Sequence, residues 1–236
     1  MNFSKPAMVG KLLCRRKRFF MDIVLPNGEE VVAHIANTGS MLGLIDAGNE
    51  VLLTKNDDPK RTLKYSVQAI KIGCEWVGVN TMLPNRLIKN SFSHACMEDF
   101  HHYQTVKTEV KYGIEQRSRI DFLLSESLKD QADCYLEVKN VTLMKNGIAQ
   151  FPDAVSTRAQ KHIDELMFMR SHGFEAALIF LVQRGDCSYF SPASHIDKIY
   201  GEKLADAAQK GLIIKALVAK LSETGVLLSH EIDCKI

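Results

Sequence analysis

Long apolar runs are missing from this chain of 236 residues; the longest, Ala176 to Val182, has seven. A membrane-spanning helix needs about 20, so no helical crossing is expected. Leu12-Leu13 is too short for the apolar core of a secretory signal, which points to a cytoplasmic protein. The six cysteines, at 14, 74, 96, 134, 187 and 234, include no CxxC or CxxxC pair. That spacing speaks against a zinc ribbon or finger, and the thiols read as reduced, small packing residues. An excess of one charge is lacking too: the formal net charge is +2. What is present is ordinary for a globular protein, 46% hydrophobic and 25% charged residues. Disordered and collagen-like chains are thereby excluded.

The charge is unevenly placed. Residues 1–86 carry 12 Lys+Arg against 8 Asp+Glu, and residues 87–236 carry 18 against 20. Much of the basic excess sits in Arg15-Arg16-Lys17-Arg18, followed by Phe19-Phe20. Four successive cations beside two rings suit a phosphate backbone with bases to stack. A solvated turn between two strands fits the same residues equally well.

The first half reads as short strands. Met8 to Cys14, Arg18 to Leu25 and Glu30 to Ala36 come first, with an Asn27-Gly28 hairpin turn between the last two. Glu50 to Thr54, Leu63 to Ile72 and Glu75 to Asn80 follow. Five or six short strands within about 80 residues fit an OB-like β-barrel, a fold that often binds oligonucleotides. The second half alternates. A short helix is expected over Met82 to Asn90, then strands at Thr108 to Tyr112, Arg119 to Leu124 and Cys134 to Met144. A helix N-capped by Asp153 runs to about Ser171, and Phe174 to Gln183 reads as a buried strand. Ser194 with Asp197 resembles a capping box opening a helix to Lys210, and two strands finish the chain. The expected fold class is α+β: a barrel over 1–80, then an α/β domain over 81–236 with a mixed sheet flanked by helices.

Glu137-Val138-Lys139 is the most informative stretch. Alternation along a strand puts Glu137 and Lys139 on one face, among apolar neighbours where charge is costly without a partner or a task. Asp121, flanked by apolar residues on the preceding strand, converges with Glu137 if the two strands are neighbours. Two carboxylates make an oxygen site for Mg²⁺ or Mn²⁺. With Lys139 beside them, the set Asp121, Glu137 and Lys139 fits phosphodiester hydrolysis, with Asp121 and Glu137 as metal ligands. A structural Glu–Lys pair on a half-exposed strand is the plainer alternative.

The order of these elements resembles the PD-(D/E)XK nuclease-like fold, with Ile120 standing where the motif has proline. More of the chain is similar to the sugar fermentation stimulation protein family, SfsA. The likeness is carried by Asn37-Thr38-Gly39-Ser40-Met41, Leu83-Pro84-Asn85-Arg86 and Glu109-Val110-Lys111-Tyr112-Gly113. Ser118-Arg119-Ile120-Asp121-Phe122, Glu137-Val138-Lys139-Asn140-Val141-Thr142-Leu143 and Phe151-Pro152-Asp153-Ala154-Val155 extend it. The resemblance implies an N-terminal OB-like domain, a nuclease-like C-terminal domain, DNA as partner and a link to regulation of sugar (maltose) metabolism genes. It does not imply established cleavage. Glu109 is a further acidic position, loosely held. On the helix after Asp153, Arg158 and Lys161 are candidate phosphate contacts beside the site, and Lys161–Glu165 also suits an i,i+4 pair. His162 is a candidate acid or base, more plainly a packed histidine. Gln183-Arg184 ends the buried strand.

Overall fold

The computed structural model describes residues 1–3 and 6–236. β1 (Met8–Arg16), β2 (Phe20–Val24), β3 (Glu30–His34), β4 (Glu50–Lys55) and β5 (Tyr65–Ile72) form a closed OB barrel, and β6 (Glu75–Gly78) extends it. Short alternating segments drive this: Met21 and Ile23 of β2 point inward while Asp22 between them does not. Asn27-Gly28 turns the β2–β3 hairpin, with Gly28 at φ +84° and Asn27 accepting from the Glu29 N–H at 3.1 Å. A parallel pairing of β3 with β5, at Ala33–Tyr65 and His34–Ser66, closes the barrel.

After the short helix α1 (Leu83–Lys89) and a 3₁₀ turn over Ala95–Phe100 comes a nine-stranded mixed sheet. In chain order its strands are β7 (Tyr103–Tyr112), β8 (Ser118–Ser127), β9 (Cys134–Val141), β10 (Leu143–Lys145), β11 (Ile148–Phe151), β12 (Glu175–Val182), β13 (Tyr189–Pro192), β14 (Ile213–Ser222) and β15 (Gly225–Cys234). Their spatial order is β10-β11-β13-β15-β14-β12-β9-β8-β7. Helices α2 (Thr157–Ser171) and α3 (Lys198–Gln209) cover one face. The other face packs on α1, the 3₁₀ turn and the barrel, which contributes Leu52 and Ala69 to the same core. Both faces are therefore dry, and every residue of β12 after Glu175 is buried. No helix among the described residues is long and apolar enough to cross a membrane.

Four expectations need correction. The strand from Cys134 stops at Val141 and restarts at Leu143, and β10 then folds back on β11 at Asn146-Gly147, both at positive φ. Asp153 does not cap α2: its carboxylate accepts from the Ser40 hydroxyl of the barrel at 2.8 Å, and Ser156 caps the Ala159 N–H instead. Ser194 does not cap α3, since its side chain packs against Gly201. Asp197 is the cap, accepting from Tyr200 N–H at 3.0 Å. The same carboxylate accepts from Ser156 N–H at 2.9 Å and from the Gln160 amide, and so holds the starts of both helices. Finally, β11 and β13 go unforeseen in the sequence. At four residues each they are too short to show a period.

Candidate metal and nucleic-acid site

β8 and β9 pair only as far as Phe122–Leu136. Beyond it, the Val138 N–H donates to the Asp121 side chain at 2.7 Å rather than to a strand partner. The carboxylate thus replaces a rung of the ladder, and the strands part. From α1, the Asn85 amide donates to the other Asp121 oxygen at 2.6 Å. Two residues of β9 complete the cluster. Glu137 Oε1 accepts from Lys139 Nζ at 2.6 Å and lies 2.6 Å from His162 Nδ1 of α2. When Nδ1 carries the proton and donates to Glu137, Nε2 is left as the acceptor facing Arg158 Nε at 3.5 Å. Asp121, Glu137 and Lys139, separated by up to 18 positions in sequence, line one groove of about 410 Å³.

The two acids are not equivalent. Burial, then the charge of Glu137, pushes Asp121 up from 3.8 to about 6, against the Val138 and Asn85 hydrogen bonds. Burial pushes Glu137 upward too, but Lys139 and His162 outweigh it and hold that carboxyl below its ordinary value. Glu137 is 4% exposed, and its Oε2 has no hydrogen-bond partner. An orphaned buried carboxylate oxygen beside a second carboxylate can take a hard cation.

Thr81, Asn140, Phe151 and Arg158 also line the groove, and the first three are shared with a smaller cleft of about 190 Å³ reaching Asn37 and Gly39 of the barrel. A path therefore leads from the acids to the barrel. Gln183, fully buried at the end of β12, donates to Asn140 Oδ1 at 2.5 Å, which leaves the Asn140 NH₂ for the groove.

The cations divide. Arg15 is half-buried and engaged at the barrel surface, donating to the carbonyls of Asn37, Gly39 and Arg18 at 2.9–3.0 Å. Arg16 forms a two-pronged pair with Asp22. Lys17 and Arg18, at φ +49° and +64°, form the exposed turn with Phe19. Arg158 borders the groove, whereas Lys161 lies off it against Ser118 and Glu165, each at 3.3 Å. Glu165 is buried rather than solvated and accepts from Ser118 at 2.7 Å. Glu109 is exposed on β7 at φ +56°, opposite Asp121 in register, and does not line the groove. Sequence reasoning passed over Asn85, since no local signal ties α1 to a carboxylate 36 positions on.

Residues 82–225 match a family model described as the sugar fermentation stimulation protein RE domain, and residues 13–79 one described as the SfsA N-terminal OB domain. A "Sugar fermentation stimulation protein homolog" of Thioalkalivibrio sulfidiphilus is 42% identical over 231 residues, 97% of this chain and 96% of that protein. One of Citrifermentans bemidjiense is 43% identical, covering 98% of this chain and 97% of its own length. A solved structure described as Pyrococcus furiosus SfsA in complex with Ca²⁺ superposes with a TM-score of 0.87 at 24% identity. That superposition covers 100% of this chain and 98% of the other, and the likeness is one of fold.

Proposed function

The chain belongs to the sugar fermentation stimulation protein family, and from that membership we propose that it binds DNA and carries a divalent-cation-dependent phosphodiesterase site. Asp121 and Glu137 hold the cation and Lys139 stands beside it. The observation that carries this reading is the meeting of those three side chains in one groove, at the point where β8 and β9 separate. Two carboxylates and no thiolate are a donor set for a hard ion such as Mg²⁺ or Mn²⁺. The P. furiosus relative, described in complex with Ca²⁺, is in keeping with that choice. A cation bound there lowers the pKa of a coordinated water and offsets charge on a phosphodiester.

The chain's own residues do the rest. Asn85 and the Val138 N–H fix Asp121, and His162 positions Glu137. Lys139 supplies positive charge where the attacked phosphate turns more negative. Arg158 at the rim holds a neighbouring phosphate. Lys17, Arg18 and Phe19 on the barrel turn contact the backbone and bases away from the cut. The test is cleavage of single-stranded, duplex and branched DNA with Mg²⁺ or Mn²⁺. Asp121→Asn abolishes cutting and spares affinity; absence of metal-dependent cutting on every substrate refutes the catalytic part.

A second reading keeps the DNA and drops the cleavage: a regulator of sugar (maltose) metabolism genes on a nuclease-like scaffold. The engagement of Glu137 Oε1 by Lys139 and His162 favours it, because that acid is already neutralised within the protein. Binding that persists in EDTA, and weakens when Lys17 and Arg18 are replaced, is its signature.

A further inference from the structure

One cleft, of about 660 Å³, is larger than the acidic groove and lies among the barrel strands β3 to β5, residues 1–3 and the start of α1. The segment 80–84 divides the two: Asn80, Met82 and Leu83 line the cleft, while Thr81 and Pro84 line the groove. Gln68, 5% exposed, is the floor. Its amide donates to Thr54 Oγ1 at 2.8 Å, and its Oε1 accepts from Asn80 Nδ2 at 2.7 Å. Asn80 Oδ1 accepts in turn from the Met82 N–H at 3.0 Å, and Ser66 Oγ from Arg61 at 3.2 Å. The acceptors of this network are therefore engaged from within. What it has to spare is hydrogen: the hydroxyls of Thr54 and Ser66, the second N–H of Asn80 and most of the Arg61 guanidinium.

Charge at the rim has the matching sign. Lys55, Arg61 and Arg86 line the cleft, and Lys55 rests 5.8 Å from the Tyr65 ring. Asp57 and Asp58 line it too, two acids against three cations, and neither is free: the Asp58 carboxylate accepts from the Lys60 N–H at 2.9 Å. A pocket with surplus donors and cations takes a ligand rich in acceptors and negative charge. The walls formed by Val67, Met82 and Leu83 are apolar and suit a flat ring. The volume falls within the roughly 300–1,000 Å³ of small-ligand sites.

We propose that this cleft binds a nucleotide, its phosphate on Lys55, Arg61 and Arg86 and its base over the Thr54–Gln68–Asn80 floor. The site does not rest on the metal groove and holds its ligand without a divalent ion. The ligand is a free nucleoside monophosphate or one unit of a single strand, and the experiment separates them. The full chain is titrated calorimetrically in EDTA with dAMP, inorganic phosphate and a short single-stranded oligonucleotide. Arg61→Ala/Arg86→Ala is compared with Lys17→Ala/Arg18→Ala, which removes the same charge elsewhere. Asp121→Asn is expected to bind as the wild type does, so failure of the metal site is read separately.

Binding of dAMP tighter than phosphate, weakened about tenfold or more only by the cleft pair, establishes a free-nucleotide site. Oligonucleotide binding that falls about tenfold or more further with the cleft pair than with Lys17→Ala/Arg18→Ala, dAMP being no tighter than phosphate, establishes a strand unit. Equal losses from both double variants, or dAMP no tighter than phosphate with the oligonucleotide indifferent to the cleft, overturn the proposal. Should the first pair unfold the chain, Lys55→Ala/Arg86→Ala decides, both side chains being exposed.

Discussion

Replacing Asp121 by Asn should stabilise the metal-free protein at alkaline pH. In the folded chain the carboxyl is raised to about 6, and unfolding returns it to 3.8. The folded state therefore holds the proton more tightly than the unfolded one. Stability from this group is full below pH 3.8 and is lost as pH rises through 6. At about 1.4 kcal/mol per pH unit, the ionised acid costs the native state about 3 kcal/mol at pH 8 and about 1 kcal/mol near pH 4.5. Asn keeps an acceptor for the Val138 N–H, and a flip of the Asn85 amide gives the new NH₂ its partner. For a chain of this size the gain at pH 8 is a rise in Tm of roughly 6–12 °C. Thermal unfolding followed by circular dichroism in EDTA at both pH values measures it. Millimolar Ca²⁺ should raise the wild-type Tm by mass action and leave the variant unmoved. A variant no more stable than wild type at pH 8, or a gain that ignores pH, would falsify the account of two carboxylates confined together.

Four further outcomes are expected. Asp197→Ala removes the cap of α3 and the tie to α2, and should cost about 2–3 kcal/mol at pH 7 by denaturant unfolding. That carboxyl is held below its ordinary value, burial being outweighed by the Ser156, Tyr200 and Gln160 hydrogen bonds. The deficit should accordingly shrink as pH falls below 3.8. Arg15→Ala should lower stability by about 0.5–1.5 kcal/mol, chiefly through the part-buried bond to the Asn37 carbonyl. Lys17→Ala/Arg18→Ala should instead leave Tm alone and reduce the salt slope of DNA binding by about two, read from gel shifts across a salt series. Gly78→Ala should destabilise by about 1–3 kcal/mol, since its new carbon would lie 2.4 Å from Gln183 Oε1 and 2.9 Å from Leu221; an unchanged midpoint in urea would contradict it.

The barrel was legible because its strands are short, alternate cleanly and are punctuated by turns such as Asn27-Gly28. The same signal at Asn146-Gly147 marks the β10–β11 hairpin just beyond the expected long strand. Asp121, Glu137 and Lys139 were readable for a different reason: charge between apolar strand residues is costly, and so conspicuous. Partners were not readable. Whether Asp153 caps a helix or meets Ser40, and whether Arg15 reaches solvent or three carbonyls, depends on segments brought together only by folding. A string of four cations looks uniform in sequence, yet the fold uses two of them internally and leaves two at the tip.

Leu52 and Ala69 are shared with the core of the large sheet, and the Gly78 N–H is joined to the Gln183 carbonyl at 2.8 Å. The barrel is welded on rather than leashed. Severing the chain near residue 80 would bare greasy surface on both pieces, and neither is a portable module. On the proposed reading, a polymer gripped at the tip of one half would be registered against the acids of the other like work clamped to a lathe bed. Reach and cutting position would then be set by dimensions cast into the protein.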